Sequence, residues 1–151
     1  MGAVYFYHLT RSPIEATLPT LLDKVRGAGW RVAVRAREAA RLDWLDARLW
    51  LGADGGFLPH GIAGGPHDAL QPILLTLGGL PEGFACLMAI DGADLAPEES
   101  QRVERACVLF DGNDPDAVAL ARTQWKALTG AGISAQYWSE DGGRWTKKAE
   151  T

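Results

Sequence analysis

The sequence predicts an α/β fold in which a mostly parallel sheet carries helices on both faces. Segments rich in β-branched and aromatic residues alternate with amphipathic segments at both ends of the chain, and this alternation is typical of strands joined by crossover helices. The 151 residues are 47% hydrophobic and 23% charged, which is the balance of an ordinary globular chain. We therefore expect one domain over residues 1–151.

Two strand–helix units open the chain. Residues 3–9 and 30–36 have strand-like composition. Apolar residues from Ile14 to Val25 recur at three- and four-residue steps and predict a helix that starts near Pro19 or kinks there. Leucines on one face predict a second helix over residues 38–50.

The second half adds strands and a well-marked helix. In order, we expect a long loop over 57–71, strands over 73–77 and 84–91, a helical turn over 97–101, a strand over 102–110, a helix ending at Gly130 or Gly132, a strand over 133–139 and a polar tail from about residue 140. The long helix should begin after Asp114, because Asp is a good N-cap and Pro115 suits the first helical position.

Motifs for catalysis or cofactor binding are absent from the sequence. It contains no GxGxxG, no GxxxxGK[ST] and no GxSxG, so the predicted topology is nucleotide-binding-like without a nucleotide site. Cys86 and Cys107 lie in apolar strand-like runs and are expected as buried thiols. His60, His67 and Asp68 follow no recognised metal spacing, so we expect surface histidines. We predict no catalytic residue, cofactor or metal.

Charge and hydropathy limit the partners. The net charge of −4 disfavours wrapping of a phosphate backbone, so we expect contact with DNA to be indirect. No apolar run approaches the roughly 18 residues that a membrane span requires, and the start of the chain shows no secretion signal. We therefore expect a cytoplasmic protein that does not contact membranes.

Three segments indicate recognition of a partner. Phe57 and Leu58 lie in a loop, where they either contact a protein or cap the core. Arg122, Trp125 and Lys126 share a helix face, since they are spaced i, i+3 and i+4.

Two cations beside an indole suit an acidic peptide end with apolar residues. The alternative is a half-buried tryptophan with two solvated cations. In the third segment, residues 142–148, Trp145 and its neighbouring cations could stack a nucleic-acid base, or the segment could simply lie back on the domain.

These features, in this order, resemble the bacterial DNA polymerase III chi subunit family. The resemblance covers most of the chain and rests on VYFYHL at the start, RLDWLDARLW, FLPHGIAG, LFDGNDPDAVALARTQWK and the ending YWSEDGGRWTKKA. It implies an α/β accessory protein of the clamp loader that is not an enzyme.

The resemblance also implies two partners. One is the acidic C-terminal tail of the single-stranded DNA-binding protein, with Arg122 and Trp125 as the pair that looks like the family's tail-binding residues and Lys126 beside them. The other is the psi subunit, or a substitute such as a helicase, at a surface that includes Trp50, Phe57 and Pro59, with Leu58 beside them.

Overall fold

The fold is described by a computed structural model. It describes residues 3–11, 13–51, 60–64, 71–78, 80, 82–141 and 144–150, with no side-chain description for residues 15, 50, 51, 141 and 144. No helix in these residues is long and apolar enough to cross a membrane.

The described ranges contain eight strands and four helices. The strands are β1 (Ala3–Leu9), β2 (Val32–Arg35), β3 (Gly61–Ile62), β4 (Ile73–Thr76), β5 (Cys86–Ile90), β6 (Arg105–Asp111), β7 (Ser134–Asp141) and β8 (Arg144–Glu150). The helices are α1 (Ile14–Gly27), α2 (Ala39–Leu51), α3 (Pro97–Arg102) and α4 (Pro115–Gly130).

All eight strands form one sheet, in the order β3-β4-β2-β5-β6-β1-β7-β8. Every neighbouring pair is parallel except β7 and β8, which are antiparallel. Helices α1 and α2 pack on one face, and α3 and α4 lie on the other. The predicted α/β class, with a mostly parallel sheet between helices, is confirmed.

The sheet lies between two hydrophobic clusters, one on each of its faces. Alternating residues of β1 divide between them: Val4 and Phe6 belong to the α4 side, and Leu9 belongs to the α1 side. Strands β2, β4 and β5 are buried along their whole length. This explains why β4 and β5 appear in the sequence as nearly continuous apolar runs, as parallel strands covered on both faces do.

Helix α1 and the two ends of the sheet differ from the sequence-based expectation. Helix α1 starts at Ile14 rather than near Pro19, so Pro19 is the sixth residue of the helix. A proline at that position removes one backbone N–H donor from the helix. Strand β3 pairs with β4 inside the segment expected as one long loop. The expected polar tail forms β8, which pairs with β7 around a bulge.

Both cysteines are buried, as expected. Cys86 lies on β5 and Cys107 on the adjacent strand β6, and their side chains are free thiols. A hydrogen bond to Cys107 and burial together raise the pKa of Cys86, so this thiol stays protonated and unreactive at neutral pH.

A partly buried ion pair joins β2 to α3. Arg35 donates from Nη1 and Nη2 to the two carboxylate oxygens of Glu99, and it also donates to the carbonyls of Gly78 and Asp94. Only 8% of the Arg35 side chain and 20% of the Glu99 side chain are exposed. The Arg35 guanidinium holds the pKa of Glu99 below its ordinary value of 4.5.

The depressed pKa of Glu99 predicts acid sensitivity. A group whose pKa is lowered on folding stabilises the folded state above its unfolded pKa, and that stability disappears as pH falls through the folded pKa. We expect Glu99→Gln to lower the free energy of unfolding by about 2–3 kcal/mol at pH 7, because Arg35 is left without a carboxylate. Urea denaturation at pH 7 and pH 3 measures this, and the difference between the two proteins should shrink at pH 3. An equal difference at both pH values would contradict the assignment.

Candidate peptide-binding site

Helix α4 carries the three predicted tail-binding residues. The Asp114 side chain accepts a hydrogen bond from the Asp116 backbone N–H at 3.0 Å, and Pro115 is the first helical residue, as the sequence predicts. Ala121 and Leu128 are buried against the sheet. These anchors fix the rotation of the helix and so determine which of its residues face solvent.

Arg122, Trp125 and Lys126 occupy one edge of α4. The side chains of Arg122 and Lys126 are exposed, and Trp125 is half-buried. The indole packs edge-on against Phe6, with ring centroids 5.4 Å apart. The sequence therefore placed these residues on one face correctly, and both sequence-based interpretations remain compatible with this exposure.

An aromatic cluster lies beside Trp125, formed by Phe6, His8, Phe110, Trp125 and Tyr137. Tyr137 is at its centre: its ring stacks parallel to Phe6 at 6.4 Å and meets Trp125 edge-on at 6.0 Å. Because Phe6 is fully buried while Trp125 and Tyr137 are half-buried, the cluster connects the core to an apolar surface beside Arg122.

His8 fixes the Tyr137 hydroxyl. Its Nδ1 lies 2.7 Å from that oxygen. Burial raises the pKa of the Tyr137 phenol, and the nearby charge of Arg122 opposes the rise. The site therefore presents a permanent cation, a protonated phenol and aromatic surface within a short stretch of α4 and β7. Such a combination can bind a carboxylate next to an apolar group.

His8 and Tyr137 were not selected from the sequence. The partner of His8 lies 129 residues away on β7, so no local motif connects the two residues. The alternation of buried and half-exposed residues in β1 was the available signal, since it places Phe6 and His8 on the same side of a strand.

Gly112 makes room for His8. A Cβ at position 112 would overlap Cδ2 and Nε2 of the His8 ring and would lie 2.9 Å from the Leu9 carbonyl oxygen. This explains the glycine of the FDGNDP segment: it lets the turn before α4 approach the imidazole.

The second predicted surface lies largely outside the described residues. Phe57, Leu58 and Pro59 are not described, and Trp50 is described only as backbone near the end of α2. His67 and Asp68 are also outside the described residues. The surface therefore stays a prediction.

The expectation of a surface histidine at position 60 is wrong. His60 is 7% exposed, and its Nε2 lies 2.9 Å from Asp46 Oδ1 of α2. A carboxylate partner on a neighbouring helix offsets the desolvation cost of burying this polar ring. Among the described residues, no group of three or more His, Cys, Asp or Glu side chains could hold a metal ion.

Trp145 lies on the opposite face of the sheet from Arg122. The residue is 38% exposed, and its ring meets Tyr7 edge-on with the centroids 5.3 Å apart. Trp138 lies beside Tyr7 on β7, and Arg105 sits 4.4 Å above the Tyr5 ring. Aromatic rings and cations therefore also meet on this second face.

A cleft of about 710 Å³ opens at the carboxyl ends of the central strands. Ligands of open α/β sheets bind at such a place, where helices leave neighbouring strands towards opposite faces. Charged side chains of both signs line it, among them Arg11, Arg37, Arg41, Asp91, Asp111 and Asp114. Arg41 and Asp91 pair with each other at 2.7 Å, and the sequence offers no glycine-rich phosphate loop here.

Comparison with known proteins decides the family. The model of the family described as "DNA polymerase III chi subunit, HolC" matches residues 1–136. The chain belongs to the DNA polymerase III chi subunit family. The predicted resemblance is thereby confirmed, and this chi-family chain has an accessory role in DNA replication.

Sequence and structure searches add information on the fold alone. No curated protein sequence matches the chain. A solved structure described as the C-terminal domain of the DEAD-box protein Dbp5 is similar, with a TM-score of 0.61 over 92% of this chain and 90% of that one. At 11% identity, this chi-family chain shares the architecture of that domain, and the similarity says nothing further about function.

Gly112→Ala tests the packing of His8. The added methyl group overlaps the imidazole, so we expect the free energy of unfolding to fall by about 1–3 kcal/mol, as in other overpacked sites. Urea denaturation measures it. Gly130→Ala is the matched control, since its Cβ would meet nothing within 4 Å and alanine favours a helix. Equal stabilities of the two variants would contradict the described packing.

Proposed function

We propose that this chain is a non-catalytic subunit of the clamp-loader complex that connects the single-stranded DNA-binding protein to the replication machinery. Membership in the chi family supports the replication role. The single observation that carries the finer proposal is the exposed Arg122 beside the half-buried Trp125 on α4.

The chemistry of this surface suits the proposed ligand. The C-terminal tail of the single-stranded DNA-binding protein is acidic and ends in apolar residues, as the family resemblance implies. Arg122 can form two parallel hydrogen bonds to a carboxylate, and Lys126 adds a second positive charge. Trp125 offers apolar area on a support that is already packed against Phe6, so little ordering is required on binding.

We propose that a second surface binds the psi subunit or a substitute partner. It includes Trp50, Phe57, Leu58 and Pro59, the residues that follow from the resemblance. His60 supports the assignment indirectly: its contact with Asp46 ties the end of this segment to α2, the helix that carries Trp50. With one partner on each surface, the protein would contact DNA only through its partners. We also propose that it needs no cofactor and acts in the cytoplasm.

Arg122→Ala is the main test. We expect it to weaken binding of a synthetic acidic tail peptide by roughly 1.5–3 kcal/mol, the range for a hydrogen bond to a charged group. Isothermal titration calorimetry measures the affinity. Arg48→Ala, which removes an exposed arginine of α2, is the control and should bind as the wild type does. Unchanged affinity of Arg122→Ala would rule out the assigned site.

A second candidate function is direct binding of single-stranded nucleic acid. The exposed ring of Trp145 beside Tyr7 favours it, because bases stack on such rings. It predicts oligonucleotide binding that weakens steeply with salt and is lost in Trp145→Ala. Fluorescence anisotropy of a labelled oligonucleotide measures this, with Arg122→Ala as the control because it lies on the other face. No anisotropy change with the wild type would eliminate this function.

A further inference from the structure

The α4 site is formed by Arg122, Trp125 and Lys126. The Tyr137 hydroxyl adds a hydrogen-bonding group to this site, beside Trp125. It lies 2.7 Å from His8 Nδ1, and its ring meets the Trp125 indole at 6.0 Å. Arg122 precedes Trp125 by one helical turn on the same edge of α4. We propose that Tyr137, positioned by His8, is the second hydrogen-bond donor beside Arg122 for a carboxylate of the bound peptide. This inference rests on the proposed function and names a further residue of the same site.

The hydrogen-bond donors and acceptors of the pair support this role. A phenol has one hydrogen to donate and an oxygen that accepts. When His8 Nδ1 carries the hydrogen, it donates to the Tyr137 oxygen, and the phenolic hydrogen is free to point to a ligand. The opposite edge of the imidazole lies against the Gly112 backbone, so the ring is confined on both sides.

The surroundings of Tyr137 favour a carboxylate ligand. A phenol whose pKa is raised by burial keeps its hydrogen at neutral pH, and the Arg122 charge attracts an anion. The half-buried rings of Trp125 and Tyr137 provide apolar contact directly beside these donors. A ligand must therefore present a negative charge and an apolar group close together. The last residue of a peptide does so when its side chain is apolar, and an acidic residue followed by an apolar one is the other source.

A peptide series with Tyr137→Phe tests the proposal. The probes are an acidic peptide with an apolar last residue, the same peptide with a C-terminal amide, and a version in which its acidic side chains are replaced by their amides. Tyr5→Phe is the matched control, because Tyr5 lies on the other face of the sheet beneath Arg105. Calorimetry gives the affinity of each pair.

We expect Tyr137→Phe to weaken binding of the unmodified peptide about tenfold, the lower end for a hydrogen bond to a charged group. If Tyr137→Phe binds the amidated peptide as tightly as the wild type does, Tyr137 binds the terminal carboxylate. If Tyr137→Phe matches the wild type only for the peptide without acidic side chains, Tyr137 binds a side-chain carboxylate. Both results support the proposal, since coupling between two changes identifies a direct contact. No loss with the unmodified peptide, or the same loss with all three, overturns it.

The failure of this inference is distinguishable from failure of the proposed function. If Arg122→Ala binds the unmodified peptide as the wild type does, the α4 site itself is wrong. If Arg122→Ala loses binding and Tyr137→Phe does not, the site stands and only the role of Tyr137 is wrong.

Two variants of His8 test its positioning role. His8→Asn keeps an amide near the place of Nδ1 and should retain most of the affinity, whereas His8→Leu should lose as much as Tyr137→Phe. Nitrogen-15 NMR of the His8 imidazole should show a hydrogen on Nδ1 in the peptide complex. Wild-type affinity of His8→Leu, or an Nδ1 without hydrogen in the complex, would overturn the positioning role.

Discussion

The position of β1 between β6 and β7 is the constraint on which both the α4 site and the face with Tyr7 and Trp145 depend. Its register places His8 opposite Phe110 on one side and Ser139 on the other, and Phe6 opposite Tyr137. Because successive side chains of a strand point to opposite faces, this pairing determines which rings meet above and below the sheet. A shift by one residue would exchange the two sets completely.

The α4 site is consequently an extension of the core. Phe6 is fully buried and contacts both Trp125 and Tyr137, so the rings offered to a ligand rest on a packed floor. The cations of α4 stay in solvent while the helix is anchored by Ala121 and Leu128. Packed aromatic rings next to exposed cations suit the binding of a short flexible peptide, because most of the ordering cost falls on the peptide.

Features determined by local sequence could be predicted, and features determined by distant partners could not. The buried strands β4 and β5 follow from apolar runs, and the start of α4 follows from Asp114 and Pro115. Strand β8 is an exposed edge strand whose side chains are mostly polar, so it lacks the hydrophobic pattern that marks a strand. The partners of His8 and His60 depend on residues 129 and 14 positions away, beyond the reach of any local motif. Half of the candidate site could therefore be predicted: the helical spacing of α4 indicated Arg122 and Trp125, whereas no local pattern in β7 indicated Tyr137.

The bulged edge strand has a consequence for the behaviour of the protein in concentrated solution. In the described residues, β8 is the last strand of the sheet on its side, and a strand in that position offers N–H and C=O groups as a template for another chain. Lys147 and Lys148 lie in the middle of β8, next to the bulge. Lys147 also pairs with Glu150 of the same strand at 3.2 Å. Charged side chains along an edge strand and a locally twisted backbone both oppose the addition of a second copy. The cations beside Trp145, considered above for nucleic-acid binding, thus also oppose polymerisation through the open edge of the sheet.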